Sequence, residues 1–218
     1  FIEKGDASVL QSRTKDQTEG LVAVQEFLEM VNNYLSVGGT EEAQALIDQA
    51  VALGNPFAAS PLVYYYKAYV CLLEGNRDDA GAQLEKANSL SHINQYPLRI
   101  EEVKMFDTLT AAFADNAFLH YHYGNLLYYI GQKEHGLAEW TRSTELDGTF
   151  AVALRNVGFA YGQKGEWQKA MGYYDRAIKA NPDDALLFTE SDKIYESANV
   201  DAAARLKRLE SNIKTVMK

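Results

Sequence analysis

By type, the residues of this chain able to do chemistry are four histidines, one cysteine and several adjacent carboxylate pairs. His120 and His122 are two positions apart in a segment that reads as helix, which turns them roughly 200° from one another about the axis. Side chains so placed cannot share a metal ion, and His92 and His135 have no ligand-spaced Cys, His or carboxylate beside them. Cys71 is the single cysteine, so no internal disulfide forms and the redox compartment stays open. The pairs Glu41-Glu42, Asp78-Asp79 and Asp183-Asp184 have the type for general acid/base work. Each falls at or near the start of a helix, where carboxylates meet the positive end of the dipole. No glycine-rich phosphate loop closing on Lys-Ser/Thr occurs, and no nucleophile elbow. The residues thus predict no catalytic set, no cofactor and no metal site, and a chain that is not an enzyme.

Charge and hydropathy exclude two further classes. Lys plus Arg number 21 against 30 for Asp plus Glu, a formal net charge of −9. Affinity for a phosphate backbone comes mostly from cationic side chains, so an acidic chain is not expected to bind nucleic acid. No apolar run approaches the roughly 20 residues needed to cross a membrane, and Lys67 breaks the longest candidate.

The elements show themselves through a repeat. Residues 117–150 and 151–184 can be written one above the other, with Gly124 over Gly158, a spacing of 34 residues. Counted from Ala151, Leu154, Val157, Gly158, Tyr161, Ala170, Tyr174, Ala177 and Pro182 occupy positions 4, 7, 8, 11, 20, 24, 27 and 32. Small residues at 8, 20 and 27 suit close helix–helix approach, aromatics at 11 and 24 fill wider gaps, and Pro182 stops the second helix. Residues 117–150 keep Tyr123, Gly124, Leu127, Gly131 and Trp140, but have His120 for a large apolar residue, Gly136 for Ala and Gly148 for Pro. Residues 61–94 align through Tyr64, Ala68, Cys71, Gly75, Ala80, Leu84 and Ala87, and 24–57 through Phe27, Tyr34, Gly38, Ala43, Ile47 and Ala50. The last unit, 185–218, keeps Phe188, Tyr195 and Ala204 but carries Asp192 where a small residue belongs.

From Pro61 to Ala117 is 56 residues, 22 more than one repeat. In that surplus Ile100, Val103, Phe106, Leu109 and Phe113 recur at three- or four-residue steps, predicting an extra helix over 98–113. The first twenty residues are polar, with Gly5 and Gly20, and read as a partly ordered lead-in. The chain begins at Phe1 and ends inside a stretch where Leu206, Leu209, Ile213 and Val216 are still periodic, so we read it as a piece of a longer chain. Alternatively Arg205, Lys207, Arg208 and Lys214 make the last helix a polar cap.

The 34-residue spacing with these offsets resembles the tetratricopeptide (TPR) helix pair. The resemblance implies an all-α, right-handed TPR superhelix, one solenoid domain of about five helix pairs with one inserted helix. More narrowly, a helix pair, an RIEEVKMF-type inserted helix, then HYHYGNLLYYIGQKEHGLAEW and FAVALRNVGFAYGQKGEWQKAMGYYDRAI is similar to the repeat region of a bacterial family. In that family a β-sandwich domain of poorly defined, carbohydrate-related role precedes a long TPR array. The likeness covers the chain from about residue 24 and its motifs are structural, so it carries fold more than function. Lys67-Ala68 stands where Leu-Gly belongs, and the chain contains no sandwich.

In a TPR array the first helix of each pair lines the concave face through positions 2, 5, 9 and 12. Those positions hold Leu62, Tyr65, Tyr69 and Leu72, then Phe118, Tyr121, Asn125 and Tyr128, then Val152, Arg155, Phe159 and Gly162. The resemblance therefore implies a scaffold gripping a protein, a peptide or another domain of its own parent chain. The expected contact residues are Tyr65, Tyr69, Tyr121, Asn125, Tyr128, Arg155, Asn156 and Phe159. A concavity filled by the inserted helix 98–113, or by a missing domain, is the competing expectation. The alternative function is the accessory part of a bacterial carbohydrate-active enzyme whose catalytic domain lies outside this chain. Asn125 and Asn156 also match the asparagines with which some TPR proteins clamp a C-terminal carboxylate. The cations of such a clamp are missing, because Tyr121, Leu186 and Glu190 stand in their places.

Overall fold

The computed structural model describes residues 7–92 and 95–216, with side chains from 19 to 92 and 95 to 211. The expectations that rest on Gly5, Ile213, Lys214 and Val216 lie outside the described side chains. Within these limits the chain is helical, and no strand occurs among the described residues. Helices α1 (Ala7–Ser36) and α2 (Thr40–Leu53) lead through a single 3-10 turn, Phe57–Ala59, to α3 (Pro61–Leu73) and α4 (Arg77–Asn88). Then come α5 (Glu102–Ala112), α6 (Ala117–Tyr129), α7 (Lys133–Leu146), α8 (Ala151–Gln163), α9 (Trp167–Ala180), α10 (Ala185–Ser197) and α11 (Ala202–Val216). They group into two compact units where the sequence reads as one solenoid. The first unit runs to Pro97 and includes Asp107–Phe113; the second comprises Leu98–Phe106 and the chain from Ala114.

One hydrogen bond recurs in every helix pair and fixes the register. The backbone N–H of repeat position 16 donates to the carbonyl of position 11: Gly39 to Tyr34, Asn76 to Cys71, Gln132 to Leu127, Glu166 to Tyr161 and Val200 to Tyr195, at 2.8 to 3.0 Å. The bond requires a left-handed residue at position 15, and φ there is +82° at Gly38, +82° at Gly75, +90° at Gly131, +72° at Gly165 and +60° at Asn199. Asparagine is the side chain that best tolerates this conformation after glycine, so the degenerate last pair closes as the others do.

In the first unit, Val24, Phe27, Leu28 and Val31 of α1 are buried, with Phe27 edge-on to Phe57 at 5.1 Å. The described part of the polar lead-in is helix from Ala7 onward and runs on into α1. Gly20 lies inside α1, where a Cβ would stand 3.3 Å from the Pro56 ring. Helix α3 is buried from Pro61 to Cys71 apart from Lys67, whose ammonium reaches the Asp48 carboxylate at 2.8 Å.

The inserted helix is α5, shorter at its start than the periodicity predicts. Leu98 and Arg99 stand outside it because their N–H groups donate to the Glu102 carboxylate at 2.8 and 2.9 Å. That carboxylate is fully buried and closes the chain over the first turn of the helix. Met105, Phe106 and Leu109 point inward, and Ile100, which the periodicity placed on the same stripe, is 68% exposed.

In the second unit α6 packs on α7 and α8 on α9 through the small residues at positions 8 and 20. A Cβ on Gly158 would meet the Tyr174 ring at 2.9 Å and the Ala170 carbonyl at 3.3 Å, so the expected close approach is present. Between α6 and α7 both partners are glycine. A Cβ on Gly136 would stand 2.8 Å from the Tyr128 nitrogen and 2.9 Å from the Gly124 carbonyl, which explains the departure from Ala at position 20. His120, in place of an apolar residue, is buried and held through Nδ1 to Glu139 at 2.5 Å and through Nε2 to the Ala114 carbonyl at 3.1 Å.

Candidate interaction face

The residues expected to line the first helices divide sharply by burial. In the first unit Tyr65 is 0% and Tyr69 6% exposed. In the second Tyr121 is 2% exposed, packed against Phe150 and His122 at 4.9 Å each. These three rings are core and offer no surface to a partner, a correction to the expected stripe. The cause is the apolar makeup of α3 and α6 on two faces, which demands cover on both. Burial also raises the Tyr69 hydroxyl above its ordinary value.

The remaining residues lie on α6 and α8 of the second unit and are reachable. Tyr128 is half-buried, stacked on Trp140 at 4.7 Å, with Phe159 edge-on at 6.2 Å and the Lys133 ammonium 5.7 Å above its ring. Phe159 is 39% exposed. Val152, at position 2 of its repeat, is 38% exposed, and Leu186, at position 2 of the next, is 52%.

Polar side chains between these rings bond to one another across the repeats. Asn125 Oδ1 accepts from Trp140 Nε1 and from Asn156 Nδ2, both at 3.0 Å. Arg155 does not stand open to anchor a partner. Its Nε and Nη2 donate to the two oxygens of Glu190 at 2.7 and 2.5 Å, a two-pronged pair joining α8 to α10. The Tyr174 hydroxyl donates to the same carboxylate at 3.1 Å. Burial alone would raise the Glu190 carboxyl, but the bonds and charge of Arg155, with the Tyr174 hydroxyl, outweigh it and hold the group below its usual value. Burial first, then this carboxylate, pushes the Tyr174 phenol upward.

Sequence reasoning read Glu190 as a missing clamp cation and passed over Trp140 and Tyr174 as partners in this network. A signal was present: opposite charges at 155 and 190 are one repeat plus one residue apart, the offset that faces position 5 of one first helix to position 6 of the next. The acidic pairs behave as expected at helix starts. Glu41-Glu42 and Asp78-Asp79 occupy first turns, and Asp184 caps α10 by accepting from Leu186 N at 2.9 Å. Cys71 is buried, as its repeat position implies.

Comparison with known proteins agrees with this geometry. The model of the tetratricopeptide repeat matches residues 151–184, the cleanest of the aligned units. No curated protein matches. Among solved structures, a crystal structure of MamA is similar with a TM-score of 0.50 at 14% identity, covering 84% of this chain and 92% of that one. A second crystal structure of MamA protein has a TM-score of 0.50 at 14% identity, over 88% and 90%. Likeness at this identity speaks for the fold alone. Five pairs closed by one recurring turn, small residues at the close approaches of α6 with α7 and α8 with α9, and the match at 151–184 make the fold a TPR solenoid.

Proposed function

We propose that the chain is a non-catalytic scaffold that holds a protein or peptide, or another domain of its parent chain, on the first-helix face of its second unit. The TPR fold supports the interaction role, since solenoids of stacked pairs present extended surfaces to partners. The observation that carries the finer reading is the exposure of Val152, Phe159 and Leu186 on α8 and α10 beside the Asn125–Asn156 and Arg155–Glu190 pairs. Apolar side chains flanked by ordered polar groups are what a docked segment uses for affinity and register. Tyr128 and Phe159 supply ring area at low entropy cost, while the asparagines and the Arg155–Glu190 pair set the floor between them. No observation favours the carbohydrate-enzyme alternative.

The test places a photo-crosslinking amino acid at Phe159 and, as a control, at exposed Gln168 on α9. The expected result is a discrete protein adduct in the source cell from position 159 only, weakened about tenfold by Leu186→Ser without loss of melting temperature. Equal adducts from both positions would sink the reading.

A further inference from the structure

A second surface, on the first unit, has a different character. Along α1 the row Val22, Glu26, Met30 and Tyr34, spaced by four, faces away from the buried row Val24, Phe27, Leu28 and Val31. Val22 is 50%, Met30 49% and Tyr34 44% exposed, and Val37, just past the helix end, is 81% exposed. The outer face of a surface helix is normally polar, so three apolar residues of four in its central row mark a contact surface.

The charge around this row restricts what can cover it. From Glu19 to Tyr66 the chain has six carboxylates, Glu19, Glu26, Glu29, Glu41, Glu42 and Asp48, and no Lys, Arg or His. Of these, Asp48 pairs with Lys67, which lies just beyond that stretch, while Glu26, Glu41 and Glu42 are exposed on α1 and α2. Two copies of this face would set carboxylates against carboxylates, and an anionic lipid surface would repel them in the same way. A helix with one apolar row flanked by Lys and Arg matches both properties at once. Met30 adds an adaptable side chain at the centre of the row.

We infer that the outer face of α1 docks a basic amphipathic helix of a partner protein, at a surface separate from the one on α8 and α10. The probe is a fluorescent Leu/Lys amphipathic peptide of about 18 residues, five helical turns, titrated into the full chain and followed by anisotropy. Its control has the same composition in an order that cannot segregate the two faces. The amphipathic peptide is expected to bind at least about tenfold more tightly than the control, with affinity falling between about 50 and about 300 mM salt. Met30→Ser with Tyr34→Ser is expected to remove about tenfold of that affinity, and Glu26→Lys with Glu42→Lys to weaken it most at low salt. Phe159→Ala should leave it unchanged, which separates this site from the other. If the serine pair does not fold, as judged by circular dichroism, Val22→Ser reads the same surface. Equal binding of the control peptide, or no effect of the serine or lysine pairs, would overturn the inference. So would a dimer in sedimentation that Met30→Ser dissolves, since a second copy would then be the occupant.

Discussion

At the scale of single residues, the double glycine between α6 and α7 makes a sharp test. Alanine is the better helix former by about 0.8–1 kcal/mol and is the residue expected at position 20. Gly136→Ala should nonetheless lower the melting temperature, because the new Cβ would lie 2.8 Å from the backbone nitrogen of Tyr128, which has no free end to swing away. A rise in a thermal melt would mean that the pair has room to spread. Glu190 gives a second test. Its folded-state carboxyl titrates below the ordinary 4.5, so the contribution of its pair with Arg155 is complete above that value and fades as pH falls through the lowered one. The Glu190→Gln variant should be less stable at neutral pH and lose less on acidification than the parent, read from melts between neutrality and strong acid. Parallel curves for the two would exclude the linkage.

Among the elements, α5 shows where sequence reasoning runs short. Glu102→Ala strips the partner from the Leu98 and Arg99 N–H groups and is expected to cost roughly 1–3 kcal/mol. Unchanged stability by chemical denaturation would show that the turn before α5 carries no weight. Apolar spacing announced this helix but not its first residue, since Ile100 fits the stripe by number while backbone capping by Glu102 begins the helix two residues later. The paired helices were far more legible. The repeat bounds set the first helices of two pairs at 117 and 151, and α6 and α8 begin at those residues. Small residues at fixed offsets specify that register directly. Burial of the first-helix aromatics was less legible, because Tyr65, Tyr69 and Tyr121 satisfy a surface pattern and a core pattern equally well. Only neighbouring helices decide between the two. The start of α1 was less legible too: polar composition gives a partly ordered lead-in but not a helix from Ala7, and closeness to Pro56 accounts for Gly20.

Across the whole molecule, stability in stacked pairs is a sum of local terms and nearest-neighbour contacts. Gly158→Leu, which drives a bulky side chain into the Tyr174 ring, should therefore cost on the order of 1–3 kcal/mol or more and should do so unevenly. Amide hydrogen exchange is expected to quicken in α8 and α9 and, less, in α7 and α10, while α3 and α4 keep their protection. Uniform quickening across all helices would mean that the chain opens as one cooperative block and that the additive picture does not hold.

The bonds between successive pairs also dictate the order in which the pairs can occur. Apolar positions recur every 34 residues and are interchangeable in principle, yet the polar joins are unlike one another: Asn125 with Asn156 at one, Arg155 with Glu190 at the next. Exchanging residues 117–150 with 151–184 would set Phe159 opposite His122 and leave Glu190 facing Tyr121, stranding a half-buried carboxylate without its guanidinium. Shuffled copies of these repeats would fit in shape and fail in chemistry, so recombination within this array is confined to changes that carry both halves of a join together.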